Sequence, residues 1–132
     1  MTVVLVTALA ISTAAACAHR EPTLANTTPQ HPLPLNDVGA SQLVDAIGKA
    51  GLPVANRHDV TEATCSEVHC AQAIDTDTVS VLKFPTTGTA QKYAGVTRNS
   101  YQVEDLVLVF APTVTADAEA AYERVAEDAA QT

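Results

Sequence analysis

The chain has 132 residues and a formal net charge of −8. That charge is unevenly placed: the first 36 residues hold only Arg20 and Glu21, which leaves six Lys or Arg against fourteen Asp or Glu from Asp37 onward. Nucleic-acid affinity comes mainly from counterion release at clustered Lys and Arg, so this composition argues against DNA or RNA as a partner, and equally against electrostatic docking on an anionic lipid surface.

Thr2 to Ala16 reads TVVLVTALAISTAAA, without a charge or a proline. It is too short to span a bilayer, which takes about 20 apolar residues. An apolar run followed by small residues is instead the pattern of a secretory leader, predicted here over 1–16. Ala14-Ala15-Ala16-Cys17 resembles a bacterial lipobox, whose cysteine thiol receives a diacylglyceryl group and becomes the new N-terminus. Ala14 stands where leucine is usual. No Lys or Arg precedes the apolar run, so an upstream start codon or a weak leader is expected. Two or three acyl chains on Cys17 would hold the protein firmly to a membrane. The expected location is the outer face of the cytoplasmic membrane, or a secreted protein if cleavage occurs without lipidation.

Residues 17–36 form the predicted linker, rich in Pro and Thr. Pro22, Pro29, Pro32 and Pro34 forbid regular structure there and favour a semi-stiff spacer. Its His19 and His31 are not expected to belong to a defined site, nor Asn26-Thr27-Thr28 to be glycosylated.

The globular domain is predicted over 37–132. Leu43, Val44 and Ile47 recur at helical spacing, with Ser41 or Asp37 as N-cap and Gly51-Leu52-Pro53 as the stop. An extended stretch follows from Pro53 towards Val60. Thr61 to Cys70 reads as a polar turn leading into a strand. Gln72 to Ile74, the turn Asp75-Thr76-Asp77, and Val79 to Phe84 predict a hairpin. Ala90, Tyr93 and Ala94 suggest a short helix closed by Gly95. Leu106 to Phe110, a continuous apolar run, predicts a central strand, with Tyr101 to Val103 pairing or extending it. Ala116 to Ala130 is a helix capped by Thr115, with Asp117 and Glu119 at the positive end of its dipole. This order predicts an α+β fold, a small two-layer sandwich with about four mainly antiparallel strands and helices on one face. With three Tyr, two Phe and no Trp, its core must be mainly aliphatic.

If Cys17 is lipidated, Cys65 and Cys70 form an even pair, the pattern of a disulfide in an oxidising compartment. Closing so short a loop is worth roughly 2 kcal/mol. The competing reading is a metal site made of Cys65, His69 and Cys70 with His58 as a fourth ligand. Structural zinc sites favour a second cysteine pair elsewhere, which is missing. There is no nucleophile motif, no phosphate-cradling Gly-rich loop and no His-Glu-x-x-His, so no catalytic residue, metal or cofactor is expected.

Cys65 to Ala73 (CSEVHCAQA), Val79 to Ala94 (VSVLKFPTTGTAQKYA), Tyr101 to Pro112 (YQVEDLVLVFAP) and Ala121-Tyr122 together resemble a group of small exported or membrane-tethered proteins of mycobacteria and related actinobacteria, many of them lipoproteins of unknown function. The resemblance covers most of residues 60–125. It implies an envelope location and paired cysteines, and it brings no activity. The expected function is a non-enzymatic module that binds or positions another envelope protein. The alternative is a carrier of a small apolar or lipidic ligand. An enzyme would need a cleft gathering His58 or His69 with acids such as Asp59 or Glu62.

Overall fold

The computed structural model describes residues 36–132; the expected leader, Cys17 and the linker up to residue 35 lie outside the described residues. The described chain runs α1 (Ala40–Lys49), β1 (His58–Asp59), α2 (Thr61–Val68), β2 (Gln72–Asp75), β3 (Val79–Lys83), α3 (Thr87–Ala94), β4 (Ser100–Val103), β5 (Leu106–Phe110) and α4 (Ala116–Ala130). Its strands form one antiparallel sheet in the order β1-β2-β3-β5-β4. The α+β class is as expected. The strand number is five rather than four, because Ser100–Val103 is a separate strand paired with β5, while the expected stretch towards Val60 narrows to His58–Asp59, paired with Asp75 and Ile74.

Side chains alternate across a strand, so each strand serves two faces. On the first face Ile74, Val79, Val81, Leu106, Leu108 and Phe110 meet Leu43, Val44 and Ile47 of α1 and Tyr122 and Ala126 of α4. Full burial of one such aliphatic side chain is worth about 1.5–3 kcal/mol, and this layer carries most of the core. The second face is smaller. Ala73, Leu82 and Val107 meet Ala90 of α3, with Val60, Cys65, Val68 and Tyr93 partly buried around them. Helices therefore lie on both faces, not on one. The uninterrupted LVLVF of β5 follows from this, since Val107 and Leu108 face opposite layers and are both fully buried.

Local chemistry sets the helix ends. The α1 N-cap is Gly39, rather than Ser41 or Asp37, and the Gln42 side chain turns back to accept the Gly39 N–H at 2.7 Å. At α3 the Thr86 hydroxyl accepts the Thr89 N–H at 3.1 Å, while the Thr89 hydroxyl accepts the Thr86 N–H at 3.3 Å, a reciprocal cap. Thr115 caps α4 as expected. Among the described residues no helix is long and apolar enough to cross a membrane.

Candidate functional site

The segment expected to be a polar turn is α2, and its end explains the cysteine pair. His69 caps it in the left-handed conformation (φ 59°), its N–H donating to the Cys65 carbonyl at 3.0 Å. That reversal brings Cys70 back over the last turn. Cys65 and Cys70 are joined by a disulfide, so neither thiol is free to ligate a metal. Among the described residues no group of three or more His, Cys, Asp and Glu is gathered in metal-holding geometry.

A row of directly opposed residues crosses the second face of the sheet. His58 pairs with Asp75 at the β1–β2 register. Asp75 stands beside Ser80 across the β2–β3 hairpin and accepts a hydrogen bond from the Ser80 hydroxyl. Ser80 pairs with Val109, and Val109 with Ser100. Asp75, Ser80 and Val109 of this row are half-buried in the floor of a groove of about 190 Å³, while His58 at its end is exposed. Val60, Thr64 and Tyr93 wall it, and Ala73, Asp75, Ser80, Leu82 and Val109 form its floor. The disulfide ties the end of the helix that supplies Thr64. Tyr93 is held from the other side by Phe84, with ring centroids 5.1 Å apart.

The row contains the residue types of a nucleophilic triad in an order that does not make one. A triad needs the imidazole between serine and carboxylate, whereas Asp75 lies between Ser80 and His58. What the arrangement does is hold an oriented carboxylate at the foot of a partly apolar slot. Beside it, a wider open hollow is lined by Asp59, Val60, Glu62 and Ala63. The acids expected for a catalytic cleft do meet there, but neither His58 nor His69 lines it. The Thr61 hydroxyl and N–H hydrogen-bond to Asp59 and hold its carboxyl below the usual range, with Arg57 adding to the effect.

At the opposite end of the strands a polar clasp closes the domain. Asp105 is the buried charged residue among those described, 1% exposed. Lys83 Nζ donates to Asp105 Oδ1 at 2.8 Å, to Asn36 Oδ1 at 2.9 Å and to the Asn36 carbonyl at 3.1 Å. The Asn36 amide nitrogen donates to Glu104 and, at 3.2 Å, to Asp105 Oδ1. Asp105 Oδ2 is buried and has no hydrogen-bond partner among the described residues. The clasp fixes Asn36, where the expected linker ends, against β3 and the β4–β5 turn. A separate, mostly apolar hollow of about 250 Å³ lies by Leu52, Pro53, Val114, Ala118 and Tyr122.

Sequence reasoning found the cysteine pair and missed the groove and the clasp. Groove residues come together only through strand register. Clasp residues are separated by 47 and 22 positions. No family model, curated protein or solved structure matches this chain.

Proposed function

We propose that this protein is a cell-envelope lipoprotein, anchored through acyl chains on Cys17, whose domain is a non-enzymatic module for binding another envelope protein. The location is supported by the leader pattern ending at Ala14-Ala15-Ala16-Cys17, the proline-rich spacer and the resemblance to exported actinobacterial proteins. The disulfide between Cys65 and Cys70 agrees with an oxidising compartment.

The observation that carries the binding role is the uneven cover of the second sheet face. The groove over Asp75, Ser80 and Val109 holds about 190 Å³ and is open to solvent. Sites that enclose a small molecule run to about 300–1,000 Å³. A slot this small suits one projecting side chain of a partner, with Asp75 as its polar contact. The carrier reading is weakened because the apolar hollow beside Tyr122 holds only about 250 Å³, while the hollow of about 460 Å³ is open and lined by Asp59 and Glu62.

Two measurements test the proposal. Intact mass of protein taken from native membranes should begin at Cys17 and include acyl chains; an unmodified N-terminus would end the anchoring claim. A photo-crosslinking amino acid at Thr64 or Val109, introduced in cells, should yield an adduct with one envelope protein, lost in the Asp75→Asn background. The same reagent at Glu123 of α4 should yield none. Equal labelling from both positions, or from neither, would remove the groove as the docking surface.

A further inference from the structure

We propose that the clasp is a site of covalent modification: Lys83 Nζ and Asn36 Cγ join in an amide, with loss of ammonia and with Asp105 as proton carrier. The reacting groups already touch. Lys83 Nζ lies 2.9 Å from Asn36 Oδ1, so the carboxamide carbon is one bond beyond an atom in hydrogen-bond contact. Asp105 Oδ1 is 2.8 Å from that same Nζ and 3.2 Å from Asn36 Nδ2. A single carboxyl oxygen therefore contacts both the nitrogen that attacks and the nitrogen that leaves, the position required of a general acid–base. Glu104 accepts from the leaving nitrogen as well.

The step balances without any outside reagent. Lys83 hands its extra proton to Asp105 Oδ1, and the freed lone pair attacks Asn36 Cγ while the carbonyl π pair moves onto Oδ1. Asp105 protonates Nδ2 and receives a proton from Nζ as the tetrahedral carbon collapses and the Cγ–Nδ2 bond breaks. Ammonia departs, taking the first proton with it as ammonium, and Asp105 returns to a carboxylate. Holding the partners at contact distance removes the entropic cost that makes amide exchange slow between free molecules.

The product would weld the first described residue of the domain to β3. Traction along the chain before Asn36 would then load the sheet directly and bypass α1.

The test is peptide mapping and intact mass of the purified full chain after thiol reduction. The expected result is a chain lighter by one ammonia, with a branched peptide carrying residues 36 and 83. Lys83→Arg, which keeps the charge, and Asn36→Ala, which leaves the Lys83–Asp105 ion pair in place, should each restore the full mass and give linear peptides. Circular dichroism of both variants checks that the restored mass comes from folded protein. Full mass in the wild-type chain with both residues in linear peptides would overturn the proposal. So would ammonia loss without a branched peptide, the mark of a local asparagine cyclisation, or water loss mapped to Lys83 and Asp105.

Discussion

The Tyr122 hydroxyl donates a 2.7 Å hydrogen bond to the Pro53 carbonyl, joining the middle of α4 to the loop that follows α1. Thr78 Oγ1 donates to the same carbonyl at 2.7 Å and lies 3.1 Å from the Tyr122 oxygen. The ring below is 1% exposed and packs on Phe110 with centroids 5.8 Å apart. Tyr122→Phe keeps the ring and leaves the Pro53 carbonyl with one donor, so a loss of about 1 kcal/mol is expected. Tyr122→Ala empties the space between α4 and β5 and should cost about 3–5 kcal/mol. Urea unfolding of the two variants separates the polar contribution from the packing one.

The disulfide closes a short loop, and removing it with Cys65→Ser and Cys70→Ser together should cost about 2 kcal/mol. The loss should fall mainly on the second face. Hydrogen exchange should show amides of α2 exchanging faster while α1 and α4 stay protected. Uniform loss of protection would mean that the two faces unfold as one unit.

The only residue of α3 that is fully buried is Ala90, so its cap matters more than it would in a strongly amphipathic helix. Thr86→Ala removes the hydroxyl that accepts the Thr89 N–H and leaves the Thr86 N–H on the Thr89 hydroxyl. A loss of about 1 kcal/mol is expected. Tyr93 should become more mobile as the helix frays, which its fluorescence anisotropy would report. An unchanged anisotropy would show that the stack on Phe84 holds the ring without the cap.

Tyr101 donates to Glu127, and that hydrogen bond, reinforced by partial burial and the nearby negative charges of Glu127 and Glu123, pushes its phenol up to about 12. Folding raises this pKa, so the stabilisation is complete below the ordinary tyrosine value near 10 and disappears as pH climbs through the folded value. Ultraviolet titration should show Tyr101 ionising near the top of that window, and Glu127→Gln should bring it down.

Several elements were legible because their chemistry is local. The continuous LVLVF marked β5 as an interior strand, and Thr115 with Asp117 and Glu119 marked the start of α4. Asp75-Thr76-Asp77 marked the β2–β3 turn. By contrast α2 was hidden, since Cys65 and Val68 are its main apolar contacts and neither is fully buried. With so faint an apolar stripe, a helix and a polar turn look alike in sequence. Helices on both faces were equally hard to foresee, because a short apolar run does not say which of its sides is covered. The row from His58 through Asp75 to Ser80 depends on two registers, and register is fixed by packing that only the whole sheet supplies. The clasp draws on residues 36, 83, 104 and 105, whose meeting no local pattern announces.

The sheet ends on one side in β1, two exposed residues long, and on the other in the four-residue β4. Strand-to-strand growth into open fibres needs two different edges that can pair head to tail. The His58–Asp59 edge offers too few backbone groups to be one of them, and its polar side chains discourage the attempt. Two copies meeting through β4 would close on each other and stop. Among the described residues the fold therefore lacks the two unlike edges that stacking into a fibre requires.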